Sequence, residues 1–337
     1  MVKRGSSGLS CVVGIHKEPT LSSHDVVNRC RWIFSEKRVG HAGTLDPAAS
    51  GVLLVCVGPA TRLNPYLSAH DKTYRFKVCF GSATDTDDAE GRIIDKKPIP
   101  HCLSDVEYAQ KVLAALVGKN TQKPPVYSAI KIDGERAYKT ARSGKIPQLA
   151  YREIEIYSAK LVSIDSDFSQ CLTWEIIVKV SKGSYIRSLA RDLGESLGTC
   201  AHVCELERIA SGSLSLEKCI NLEALEQSPQ NFYLDPVFLL GYKYAHLNEA
   251  QSISVKNGSA LSLESLKLRT FQPSDTLNVS AYDNPVIPNP ETRIEHDELI
   301  SLIADEKLHA LYRYDEQSFT LYPQCVFSTG VSRGLNY

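Results

Sequence analysis

Residues 39–63, VGHAGTLDPAASGVLLVCVGPATRL, constrain this chain more than any other stretch. A glycine-rich turn presents one carboxylate, Asp46, a proline follows it, and the next apolar run is long enough to be a buried strand. Asp46 is the only acid in the stretch, and Gly40 and Gly43 clear side-chain bulk around its approach. A loop aspartate is ordinarily an N-cap or Asx-turn residue, so a chemical role for Asp46 has to come from its company.

The surrounding sequence alternates helix and strand signals. SSHD is an N-cap pair opening a helix over 22–38, with Val26, Val27, Cys30, Ile33 and Phe34 at helical spacing. TYRFKVCF, at 73–80, places Tyr74, Phe76, Val78 and Phe80 on one face of a strand. GSATDTDDAEG reads as a hydrogen-bonded turn rather than a cation site, because Thr84, Thr86 and Gly91 flank Asp85, Asp87 and Asp88. A helix is expected at about 104–117 and a strand at 173–180. Another helix should carry Ile186, Leu189, Ala190, Leu193 and Leu197 on one side, and a further strand region falls at 206–216. From about 243 the chain turns acidic, with β-like pieces SISV, LYRYD and FTLYPQCVFS around NPVIPNPET.

A length of 337 residues accommodates two domains. No apolar run approaches the roughly 20 residues that span a bilayer, and no signal core follows MVKRGSSGLS. A cytoplasmic location is expected. The ten cysteines are scattered, several in apolar runs (Cys56, Cys79), and are expected to be reduced thiols packed as small hydrophobes. Cys200, His202 and Cys204 do not have the spacing of a zinc motif. A net charge of −1 is unusual for a phosphate-binding protein, but its distribution is uneven. Residues 1–230 hold 30 basic and 26 acidic side chains, against 8 and 13 in 231–337, and 107–152 alone hold 9 against 3. A phosphate-facing surface would be local and would belong to the first domain.

Five segments in order, GHAGTLDPAASGVLLVCVG, DKTYRFKVCFGSATDTDDAEG, PPVYSAIKIDGERAY, SKGSYIRSLARDLGESLG and AHVCELERIASG, resemble the TruB-type pseudouridine synthases over roughly residues 10–225. The resemblance implies isomerisation of uridine to pseudouridine in tRNA, with no cofactor and no metal. It implies that Asp46 acts at the ribose, that Arg187 pairs with Asp46, and that Tyr74 stacks on the target base. Tyr185 and Leu206 match positions lining the uracil pocket. His41 matches a residue that enters the RNA loop as the base flips out, and filling that void offsets a cost of a few kcal/mol. The basic segment 119–152 coincides with an insertion that clasps the T arm, so Lys131, Arg136, Lys139 and Arg142 are its candidate RNA contacts.

Two departures stand out. The family's Lys-Pro-x-Gly turn is KEPT here, with Glu18 for proline and Thr20 for glycine, so a different backbone path is expected. The tail is acidic where many relatives carry a PUA domain.

The resulting expectation is an α/β (α+β) catalytic domain over 8–240, with a mixed, largely antiparallel sheet and flanking helices. A small β-rich domain, PUA-like or divergent, would occupy 243–337. The expected substrate is tRNA through its T-arm stem-loop, most simply at uridine-55. A membrane and an obligatory protein partner are not expected, and the chain should be a monomer. An RNA-binding module without turnover and an N-glycoside hydrolase with an Asp nucleophile are the alternatives.

Overall fold

The computed structural model describes residues 7–128, 130–132, 135–136, 140, 148–167, 171–270 and 294–334. The chain divides into two compact units, one of residues 1–47, 52–69 and 212–337, the other of 48–51 and 70–211.

The first unit opens with β1 (Cys11–Lys17), β2 (Val39–His41) and β3 (Ser50–Val57), the last beginning in the second unit. β1 and β3 are sheet neighbours, and β2 pairs antiparallel with β3 through Val39↔Val57 and His41↔Val55. Every residue of β3 after Ser50 is buried, as its unbroken apolar sequence requires of a strand covered on both faces. The helix Ser23–Ile33 is capped by Ser22, not Ser23. Its hydroxyl accepts from the Asp25 amide while the Asp25 carboxylate accepts from the Ser22 amide, a reciprocal capping box.

The second unit holds β4 (Lys72–Phe80), β5 (Ser82–Thr84), β6 (Ile93–Lys96), β7 (Gly118–Gln122), β8 (Lys131–Ile132), β9 (Glu135–Arg136), β10 (Arg152–Asp167), β11 (Cys171–Val180) and β12 (Ala201–Ser211). Its sheet runs β12-β4-β11-β10-β7, each neighbour antiparallel to the next. Ser50 and Gly51 add a short parallel pairing to Glu207 and Arg208, which makes the sheet mixed as expected. Gly51 is required there: at φ +108° a Cβ would lie 2.2 Å from the Arg208 carbonyl oxygen. Tyr74, Phe76, Val78 and Phe80 are buried on one face, as the alternation predicts. Phe80 meets Trp174 edge-on at 4.9 Å, and the Trp174 indole N–H donates to the Leu103 carbonyl at 2.8 Å. That bond satisfies the polar end of a fully buried ring. The nearby helix Val106–Ala115 is capped by Asp105, which accepts from the Tyr108 amide.

The chain then returns to the first unit with β13 (Leu214–Ser215), β14 (Tyr233–Leu234), β15 (Lys243–His246), β16 (Leu261–Ser262), β17 (Leu299–Ala304), β18 (Lys307–Asp315) and β19 (Thr320–Ser332). β14 pairs antiparallel with β1. The last five strands form a sheet of order β15-β17-β18-β19-β16, the β-rich C-terminal region the composition suggested. One core runs from Val12, Val52 and Leu54 through Val237 and Leu240 to Leu308, Phe327 and Val331. The C-terminal strands therefore share their interior with the N-terminal ones. Arg333 donates to Asp235 through Nε at 2.8 Å and Nη2 at 2.5 Å, with both side chains at least 95% buried, and Ser332 N–H donates to the Ser10 carbonyl at 2.8 Å.

Two local expectations are corrected. SISV lies within the helix Glu249–Lys256, because Asn248 and Gln251 form a capping box immediately before it. Cys79 and Cys171, on neighbouring antiparallel strands with Cα atoms 6.2 Å apart, are joined as a disulfide and are not free thiols. Among the described residues no helix is long and apolar enough to cross a membrane.

Candidate active site

Asp46 sits in a loop whose backbone is anchored on both sides of it. Before it, the buried Ser23 hydroxyl accepts from the Leu45 amide at 2.8 Å and donates to the Leu45 carbonyl at 2.9 Å. After it, the Pro47 carbonyl accepts from the Thr20 amide at 2.9 Å and from the Lys17 ammonium at 3.2 Å. Lys17 ends the apolar strand β1 and is wholly buried, and it also donates to the carbonyls of Glu18 (2.9 Å) and Leu21 (2.7 Å). Three carbonyl oxygens around one ammonium offset much of the cost of removing a cation from water. Gly43, at φ +109°, makes the turn that lets this anchored segment follow β2.

The KEPT turn carries its departure at Thr20. Thr20 has φ +73°, the left-handed region that favours glycine, and its amide is spent on Pro47. A β-branched residue has been fitted to a glycine-type backbone.

In the second unit, Tyr185 is the N-cap of the helix Ile186–Ser196, and its own side chain makes no cap hydrogen bond. The side-chain amide of Gln122, buried at the end of β7, holds that residue instead. Its oxygen accepts from the Tyr185 amide at 2.8 Å and its nitrogen donates to the Tyr185 carbonyl at 3.0 Å. Arg187, one residue into the helix and only 4% exposed, donates through Nη1 to the Thr86 carbonyl at 2.9 Å. Its Nη2 donates to the Tyr127 carbonyl at 2.8 Å, and the Asp88 carboxylate lies 3.5 Å from Nη1. Tyr74 on β4 is opposite Val178 and Arg208, while Leu206 on β12 is opposite Phe76. Tyr74 and Leu206 thus occupy diagonal positions on adjacent strands, a separation within reach of an aromatic ring.

The acidic turn is built from its own hydrogen bonds, as the sequence predicts. Thr84 Oγ1 donates to the Asp88 carbonyl at 2.6 Å, Thr86 Oγ1 to the Asp88 carboxylate at 2.5 Å, and the Arg92 amide to the Asp85 carboxylate at 2.8 Å. Burial pushes the Asp87 carboxyl above its ordinary range, against the opposing pull of Arg191 and Arg187. At the start of β4 the Lys72 ammonium is pulled down to about 8 by burial and by the nearby Arg208 charge.

Asp46 and His41 therefore belong to the first unit, and Tyr74, Tyr185, Arg187 and Leu206 to the second. Lys131 and Arg136 stand opposite each other in the β8–β9 pair, with side chains outside the described residues. Lys139 and Arg142 also lie outside the described residues. Lys17, Ser23, Gln122, Asp87 and Arg191 are the residues that sequence reasoning did not single out for the site. Of these, Lys17 closes the apolar run CVVGIHK, and Asp87 and Arg191 lie in the acidic turn and the SKGSYIRSLARDLGESLG motif, whereas Ser23 and Gln122 carried no local signal for the site.

The fold is shared with a protein of known structure. The chain superposes on a crystal structure of a Cbf5-Nop10-Gar1 complex with a TM-score of 0.64, at 21% identity, covering 94% of this chain and 84% of that one. The family model for the TruB family pseudouridylate synthase N-terminal domain matches residues 31–186, and that for the tRNA pseudouridylate synthase B C-terminal domain matches 187–239. Similar relatives include a tRNA pseudouridine synthase B of Bacillus cereus, 38% identical over 75% of this chain and 84% of its own. Another, from Caldanaerobacter subterraneus, is 36% identical over 81% of this chain and 91% of its own. The chain belongs to the TruB family of pseudouridylate synthases. It is an isomerase.

Proposed function

We propose that this enzyme isomerises uridine to pseudouridine in the T loop of tRNA, at uridine-55, with Asp46 acting at the ribose. The bond from uracil N1 to C1′ breaks, the base turns, and C5 bonds to C1′ while the C5 proton leaves and N1 gains one. No redox step or outside energy is needed. Asp46 serves either as a nucleophile at C1′ or as the base that gives a glycal, and both routes require one ionised carboxylate held still.

The observation that carries this reading is the anchoring of Leu45 and Pro47 on either side of Asp46 by Ser23, Thr20 and Lys17. An acid fixed through its neighbours' backbone can meet a reacting atom without reorganising, which is where catalytic electrostatics gain most. In this reading Arg187 is the counter-ion that keeps Asp46 ionised, Tyr74 stacks on the flipped base, and Tyr185 and Leu206 line the uracil pocket. His41 fills the space the base vacates. The 119–152 segment, with Lys131, Arg136, Lys139 and Arg142, clasps the T arm, and catalysis calls for no cofactor or metal. The catalytic machinery falls within residues 8–240, and the enzyme works as a monomer in the cytoplasm.

The test is tritium release from C5-labelled uridine in a T-arm stem-loop, with wild type and Asp46→Asn compared. Wild type should release tritium and leave no free uracil, and Asp46→Asn should bind RNA but release none. A wild type that binds without release, an Asp46→Asn variant at full rate, or free uracil as the product would each overturn the assignment.

A further inference from the structure

Two arginines one turn apart on the helix Ile186–Ser196 reach the same two segments. Arg187 joins the acidic turn at the Thr86 carbonyl to the segment after β7 at the Tyr127 carbonyl. Arg191 repeats the bridge a turn later, pairing through Nη1 with the Asp87 carboxylate at 2.9 Å and donating through Nη2 to the Lys123 carbonyl at 2.8 Å. Its Nε and Nη2 also donate to Asp192, at 2.9 and 2.8 Å. Lys123 and Tyr127 lie at the root of the 119–152 insertion.

Asp87 is fitted to this task at a local cost. It has φ +60°, the left-handed region that most non-glycine residues avoid. There its carbonyl accepts from the Val203 amide on β12 at 3.1 Å while its carboxylate faces Arg191. Both side chains of the pair are mostly buried, at 16% and 22% exposed. Such strain persists only where the surroundings over-determine it.

We propose that Arg191 and Asp87 are positioning residues for the isomerisation. Their brace fixes the acidic turn and the root of the insertion, and so holds the Thr86 and Tyr127 carbonyls that orient the Arg187 guanidinium. Neither residue touches the base. Their loss lets the two carbonyls drift, which lowers the rate of the chemical step without removing a contact to RNA. The proposal rests on the reading that Arg187 serves Asp46 during pseudouridine formation.

The experiment compares wild type, Arg191→Ala, Asp87→Ala, the double variant and Asp87→Asn. It measures single-turnover tritium release at saturating stem-loop, Kd for the same RNA, and the urea midpoint. Arg191→Ala and Asp87→Ala should each slow release at least about tenfold with Kd within about twofold. The double variant should be no slower than Arg191→Ala, because residues acting as one unit are not additive. Should the alanine variants fail to fold, Asp87→Asn, which keeps the shape and an acceptor for Arg191, is expected to slow release several-fold with Kd unchanged. A wild-type rate in whichever variants fold, a loss confined to Kd, or singles that multiply in the double would overturn the brace. A wild type that releases no tritium would instead sink the underlying reading.

Discussion

Replacing Thr20 by glycine should make this protein more stable, against the usual direction of a glycine substitution. Thr20 holds φ +73°, where a Cβ approaches the following carbonyl and costs about 1–2 kcal/mol. Glycine removes that strain, but its freer unfolded chain returns about 0.5–1 kcal/mol. The threonine side chain is exposed, so little packing is lost. The net gain is about 0–1.5 kcal/mol, centred near 0.75, seen as a higher urea midpoint at unchanged m-value. The backbone amide that donates to Pro47 survives the substitution, so single-turnover tritium release should stay within about twofold of wild type. Thr20→Ala is the control: it keeps a Cβ in the same strained region and should recover less than about half of the gain. A lower midpoint for Thr20→Gly, or an equal gain for Thr20→Ala, would refute the idea that left-handed strain dominates this turn.

Two other perturbations follow from buried charges. Arg333→Ala leaves the Asp235 carboxylate buried beside the helix it caps and should cost about 3–5 kcal/mol in urea unfolding; a loss under about 1 kcal/mol would show that the pair contributes little. Lys72 sheds its proton at about 8 when folded against an ordinary 10.5, so below pH 8 both states carry the charge and its burial penalty is fully felt. From pH 8 to 10.5 the folded state deprotonates first and stability rises. Burial holds the Cys11 and Cys30 thiols up to about 12 against an ordinary 9.0, so their contribution falls as pH rises above 9 in the opposite sense. Stability of wild type minus that of Lys72→Met, followed by denaturant unfolding from pH 7 to 10.5, isolates the lysine and should rise across that window; a flat difference would contradict the shift.

What the sequence revealed and what it hid divide along the range of the interactions. Tyr74 to Phe80 could be read directly, because a strand with one buried face writes period-two alternation into adjacent residues. The unbroken apolar run of β3 was equally legible. β10 was legible only at its start, where Glu153, Ile154, Glu155 and Ile156 alternate; further on Ser158, Ala159 and Lys160 break the pattern, and its place in the sheet comes from pairing to β11 and β7. SISV carries strand-forming residues, yet the Asn248 capping box decides for helix. At the site, Asp46 was visible through its motif. Its anchors were not, since Ser23 lies 22 residues from Leu45 and Lys17 lies 30 from Pro47. Gln122 reaches Tyr185 across 63 residues. Contacts of that span leave no periodic trace in a single sequence.

The first unit is discontinuous, and this sets an order of events during synthesis. Nearly all of the second unit lies in one uninterrupted run, 70–211, and can fold as soon as that run has left the ribosome. The first unit cannot. β1 awaits β14, and its neighbouring core awaits Leu308, Phe327 and Val331. At ordinary elongation speeds of about 5–20 residues per second, residues 212–333 take roughly 6–25 s to appear. During that interval the apolar strand that follows Asp46 is without its full cover, so the Asp46 loop is completed last although it is made early.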